Sequence, residues 1–364
     1  MKSNFQKFGG LLVAAAILLC SGLRSRAATE MKKGPPKRVL VVSVTAGFKH
    51  AAIPTGDRIL GELAGKSGAF TADFVQQPTG NPPPEPKKPA SLKPDADETA
   101  KKEYAAQMTK YDGGLARFKS AQASWMEELK TALKKLGPEN LKNYDAVISD
   151  STTGDLPLPD RAAFLKWIED GHAFIGIHAA TDTFRGHKPP DPYVLMLGAE
   201  FKTHGPQVEV EVINQDPAHP ACKHYPKTFR VYDEIYQVNG FERDKVHGLL
   251  TLDKHPNTKQ PGDYPIAWCK MYGKGRVFYT SLGHREDVWD VNWRGGKRMN
   301  DPAVADAFQK HLLGGILWAL GLEPGDATPQ IRIGFMRWGE ATDEPQTAQN
   351  PGLFRLASTL APPT

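Results

Sequence analysis

The chain has 364 residues, with 46 Lys and Arg against 41 Asp and Glu, for a formal net charge of +5. That length suits one large domain with embellishments, or two. Segment 1–28 holds Lys2, Lys7, Arg24 and Arg26 and no acid; without those four, 42 basic side chains face 41 acidic ones, and no basic stripe with interleaved aromatics remains to suit nucleic acid.

The same segment reads as a secretory signal peptide: a basic start, a short apolar core from Leu11 to Leu19, and Ser25-Arg26-Ala27-Ala28 as the cleavage region. The expectation is export to the periplasm or the medium, with no membrane contact beyond the signal segment. No later apolar run approaches spanning length. Cys222 and Cys269 are too few and too far apart for a disulfide framework or a structural zinc site, and are expected as buried free thiols, with pairing in an oxidising compartment as the alternative.

Arg38 to Val44 is a continuous β-branched run, the mark of a strand buried on both faces in a parallel sheet. Pro54 opens a helix to Leu63, and Phe70 to Val75 is a second strand. Residues 78 to 97, rich in Pro, Lys and Asp, are expected to be extended and solvated. A helix follows with Phe118, Gln122, Trp125, Met126, Leu129, Leu133 and Leu136 on one face, read as core packing. Strand 145–150, helix 160–170 and strand 173–177 continue the α/β alternation, which argues a doubly wound, mostly parallel sheet. The second half is β-rich: 207–213, 246–252, 265–271 and 276–281 are strands, with a hairpin turn at Gly273-Lys274-Gly275. A helix from Pro302 to Leu320 closes the domain, and residues beyond Pro324 are expected to form a loosely held tail.

In open parallel sheets, ligands bind beyond the carboxyl ends of the strands. Four such ends bring Thr45 and His50; Thr152 and Thr153; His178 and Asp182; and His284. His178 stands where a nucleophile elbow would present its side chain, but histidine suits general-base work or metal ligation there. If Asp233 to Tyr236 is a strand, Glu234 and Tyr236 share a face and can meet one polyol. His204 and His219, in proline-bounded loops, are weaker candidates, and His172 is expected to cap the helix before it. HExxH, Walker A and GxGxxG patterns are missing from the sequence, so no nucleotide cofactor is expected.

The segments VTAGFKH (44–50), STTGD (151–155), FIGIHAATDTF (174–184), PIAWC (265–269) and GRVFYTSLGH (275–284) together resemble the ThuA-like, or trehalose-utilisation, family from about Arg38 to Leu320. The resemblance implies a class I glutamine amidotransferase-like fold, a flavodoxin-like three-layer αβα sandwich. It places the family domain at 36–323, with a Pro/Lys-rich helical insertion at about 78–140 and a C-terminal tail at 324–364. It also implies sugar metabolism, on glycosides or their 3-keto forms. His178 stands where amidotransferases carry a cysteine, which argues against glutamine hydrolysis. Tyr264-Pro265 departs from the His-Pro pair frequent in the family.

The expected function is therefore that of a hydrolase or lyase on a small sugar substrate. His178, His284 and Glu234 would be its catalytic groups, and Thr45, His50, Thr152, Thr153, Asp182 and Tyr236 would contact substrate. His178, His50 and His284 suit a divalent metal. The alternative is a non-catalytic carbohydrate-binding protein, with Trp268, Trp289 and Trp293 stacking on the ligand. A scaffold whose insertion binds a partner is a third reading.

Overall fold

The computed structural model describes residues 34–79 and 84–330. The segment 1–28 expected as a signal peptide and the tail beyond 330 lie outside these residues. The chain divides after Pro36 into two units, and every element below belongs to the second.

The first apolar run forms strand β1 (Lys37–Val42), followed by helix α1 (Ile53–Ser67) and strand β2 (Phe70–Val75). Proline in its first turn starts α1, and Gly68, at φ 60°, closes it with its N–H on the Ala64 carbonyl. The long helix α2 (Glu98–Ala132), capped by Asp97, runs through a 3₁₀ turn into the short α3 (Pro138–Leu141). Of the expected apolar stripe, Trp125, Leu129, Leu133 and Leu136 are buried, Phe118 is half-buried and Gln122 is exposed. The helix therefore packs by its C-terminal end.

Strand β3 (Ala146–Asp150), helix α4 (Arg161–Glu169), strand β4 (Ala173–Ile177) and helix α5 (Pro192–Leu197) complete the alternating part. The strands β5 (Glu200–His204), β6 (Val208–Asn214), β7 (Thr228–Asp233), β8 (Tyr236–Asn239), β9 (His247–Lys254), β10 (Pro261–Tyr272) and β11 (Gly275–Thr280) come next along the chain. The helices α6 (Glu286–Trp289) and α7 (Pro302–Ala319) end the described fold.

One nine-stranded sheet runs in the order β2-β1-β3-β4-β11-β10-β9-β6-β7. The pairs from β2 to β11 are parallel, and those from β11 to β7 are antiparallel. The β-rich second half thus extends the parallel sheet rather than forming a separate layer. Alternate residues of the central strands feed two cores. Val39, Val41, Ile148, Ile175 and Ile177 meet α1 and α7 on one face. Leu40, Val42, Val147 and Phe174 meet α2, α4 and α5 on the other. Helices covering both faces explain why these strands are apolar throughout.

Three details differ from expectation. Strands β5, β7 and β8 have no counterpart among the expected strands, and β5 and β8 pair in a two-stranded ribbon beside the main sheet. Residues 324–330 are held: Gln330 N–H bonds the Val246 carbonyl, and the Thr328 carbonyl accepts from His247. Trp268 and Trp289 are fully buried, their indole N–H groups spent on the Leu197 and Gly283 carbonyls, so neither can stack on a ligand. Cys222 and Cys269 are free and buried. Among the described residues, no helix is long and apolar enough to cross a membrane.

Candidate histidine–carboxylate site

Four side chains from four separate loops converge at the carboxyl end of the parallel strands. His50 follows β1, His178 is the first residue past β4, Glu234 lies between β7 and β8, and His284 follows β11. Their ligand atoms all lie within 4.8 Å of one another. His50, His178 and Glu234 are buried, and His284 is partly so.

The elbow expected at His178 is present. Its φ is +47°, sparsely populated for a non-glycine residue, and the turn lifts its side chain out of the strand. Tyr279 Oη donates to the His178 carbonyl at 2.8 Å and pins the turn. His178 Nδ1 lies 2.8 Å from the Ser281 carbonyl, which can only accept, so Nδ1 carries the hydrogen and Nε2 is left bare. That bare Nε2 is 3.3 Å from His284 Nδ1 and 3.9 Å from Glu234 Oε1. His284 Nδ1 is also 3.2 Å from Glu234 Oε1. The Tyr236 hydroxyl meets His50 Nε2 at 3.3 Å, while buried His50 Nδ1 has no partner among the described residues.

Electrostatics separate the histidines. Burial, then the neighbouring His50 and His284, push the His178 imidazole well below its ordinary range. Burial and His284 lower His50 to about 4. Burial also works against charge on His284, but the hydrogen bond and charge of Glu234 outweigh it and raise that imidazole. His178 and His50 are thus neutral, lone-pair-bearing groups near neutral pH.

Asp233, which the sequence marks only as a neighbour of Glu234, anchors the arrangement. It is fully buried and accepts the backbone N–H groups of Glu234 (2.9 Å), Gly283 (2.8 Å) and Arg285 (3.2 Å). Burial raises its carboxyl to about 6, against the pull of those bonds. Gly283 sits at φ 118°, and a Cβ there would come within 3.1 Å of the Trp289 indole nitrogen, so glycine is needed at this crossing.

Glu234 and Tyr236 do not share a face of one strand. Asp233 ends β7 and Tyr236 begins β8, and the connection between the strands carries Glu234 inward. His204, at the end of β5, places Nδ1 3.0 Å from Glu234 Oε2. The three threonines sit behind the cluster. The Thr152 hydroxyl is taken up by Ser149 and Thr183; Thr153 Oγ1 accepts from Gly47 N–H and donates to the Phe48 carbonyl; Thr45 bridges to Thr153. They shape the loop that carries His50. Asp182 pairs with Arg185 at the edge. His172 Nδ1 bonds the Trp167 carbonyl, near the end of α4. His219 lies away from the cluster, beside Cys269.

A cavity of about 770 Å³ opens nearby, lined by Tyr236, Asn239, Arg243, Asp263 and Tyr264 among others. It touches Tyr236 but none of the four convergent residues, so convergent side chains rather than cavity size mark the chemistry here.

The chain is thus an α/β protein with a buried histidine–carboxylate cluster beyond the carboxyl ends of parallel strands, a group of side chains that could hold a metal ion. The chain belongs to the ThuA family (trehalose utilisation), whose profile matches residues 100–319. A ThuA-like protein from Parabacteroides merdae is similar in structure, with a TM-score of 0.51 at 19% identity over 82% of this chain and 94% of that one. Another from Bacteroides uniformis gives a TM-score of 0.50 at 19% identity, over 79% and 92%. At such identity the likeness speaks for the fold. Among curated proteins no match is found.

Proposed function

We propose that this protein is an exported enzyme of sugar metabolism, on a flavodoxin-like core, acting on a glycoside or 3-keto-sugar at a histidine-centred, metal-assisted site. The observation that carries the metal is the triangle of His178 Nε2, His284 Nδ1 and Glu234 Oε1, with sides of 3.2, 3.3 and 3.9 Å. Ligand atoms about 2.1 Å from a tetrahedral ion stand about 3.4 Å apart, so the spacing fits. The orphaned His50 Nδ1 and the bare His178 Nε2 supply neutral nitrogen donors, and Ser281 orients the His178 ring in the manner of an outer partner.

A divalent ion held by these residues would polarise a carbonyl or activate water. The chain's own groups do the rest. Tyr236, its hydroxyl kept protonated by burial and by Glu234, accepts from His50 Nε2–H and keeps its own O–H for a substrate oxygen. The Glu234 oxygen that the ion leaves free can take a proton from carbon beside a carbonyl, the step a 3-keto-sugar invites. The family description, trehalose utilisation, supports the substrate class. Export rests on the N-terminal segment 1–28. Incubation with 3-keto-glycosides, with and without added Zn²⁺ or Mn²⁺, tests the reading: cleavage or elimination dependent on His178 is expected, and no turnover under any metal condition refutes it.

Carbohydrate binding without turnover is the second reading. Phe48 supports it: 66% exposed, it stands edge-on to His50 with ring centroids 4.8 Å apart, where a sugar ring can contact it. Sugar affinity that survives His178→Ala would favour this reading.

A further inference from the structure

The proposed chemistry leaves His204 without a task, yet its placement is specific. It ends β5, pairs with Tyr236 across the β5–β8 ribbon, and is 44% exposed. Its Nδ1 lies 3.0 Å from Glu234 Oε2 and 3.0 Å from the Gly205 carbonyl. Both neighbours are acceptors, so Nδ1 carries the hydrogen: it donates to the Gly205 carbonyl and stands in ion-pair contact with the carboxylate.

Glu234 is therefore held at both ends. His284 reaches Oε1 and His204 reaches Oε2, and no other described donor is within bonding distance of Oε2. The terminal torsion of a glutamate is soft, so a carboxylate held at one oxygen only can swing. The contact from β5 removes that freedom and keeps Oε1 turned toward His178 Nε2. The ribbon also ties His204 to Tyr236, whose hydroxyl meets His50, so one small element supports two walls of the cluster.

We infer that His204 is a positioning residue of the metal centre, holding the Glu234 carboxylate by the close polar contact of its Nδ1 with the oxygen that faces away from the other histidines. The inference rests on reading the cluster as a metal site. Outer partners of this kind are worth about 10–100-fold in metal affinity.

The test is titration of the metal-free full chain with Zn²⁺ alone, in wild type, His204→Ala, His204→Asn and His178→Ala. Asparagine keeps an N–H donor near the Nδ1 position without the ring. Affinity in His204→Ala is expected to fall about 10-fold or more, and in His204→Asn to stay within about 3-fold of wild type. His204 is exposed enough for either variant to fold, which thermal melting checks. Wild-type affinity in His204→Ala overturns the inference, and so does equal loss in both variants, which would assign the effect to the ring's packing. Zinc binding unchanged in His178→Ala removes the metal reading itself, a failure distinct from the other two.

Discussion

Asp233 Oδ2 accepts the backbone N–H of Gly283 at 2.8 Å, and this bond joins the end of β7 to the loop after β11. Glu234 and His284 are the next residues along on each side, so it sets their approach. Asp233→Ala would leave the N–H groups of Gly283, Arg285 and Glu234 without their acceptor. A loss of about 3 kcal/mol or more is expected in chemical denaturation, since each stranded buried group costs about 1–3 kcal/mol. Zinc affinity should fall with it.

His178→Ala is expected to remove stoichiometric metal from the purified protein without unfolding it. The turn is pinned through the His178 backbone carbonyl, which the substitution keeps. Elemental analysis beside far-UV circular dichroism separates the two effects, and retained metal would contradict the ligand role.

Trp289→Ala should cost about 3–5 kcal/mol as a core truncation. The indole is fully buried and bonded to the Gly283 carbonyl, so its loss reaches the site only through the loop. Thermal melting should register the change; lost sugar affinity at unchanged melting temperature would contradict it.

His311 gives a pH prediction remote from the cluster. It is fully buried on α7 among Phe278, Phe308 and Tyr225; Nδ1 donates to the Ala221 carbonyl, and Nε2 has no partner among the described residues. Burial lowers its imidazole to about 3, against the Ala221 bond. The unfolded chain binds this proton near 6.5 and the folded chain only near 3, so stability is full above 6.5 and falls as pH drops toward 3. His311→Phe should flatten that slope by about 1.4 kcal/mol per pH unit, measured by denaturation between about pH 4 and 6.

Much of this is legible along the chain because local chemistry dictates it. Arg38 to Val44 and Ala173 to Ile177 declare buried parallel strands by composition, and Pro54, Gly171 and Gly321 punctuate the helices. The rule that ligands sit past parallel strand ends brings His50, His178 and His284 together. Trp268 and Trp289 look like ligand platforms in the sequence and are not, because an aromatic side chain does not announce whether its face is covered.

The sequence by itself determined the strands of the parallel half, the elbow at His178 and the family, since each rests on residues close together in the chain. Only the tertiary structure decided how Glu234, already a candidate in the sequence, reaches the histidines, and that Asp233 and His204 support it. Asp233 ends β7, Glu234 lies in the turn into β8 and His204 ends β5, elements that join through pairings between distant residues that no local period records. The convergence of Glu234 on His178 depends on a buried carboxylate accepting N–H groups from a loop 50 residues away, and such a bond exists only once the sheet has formed.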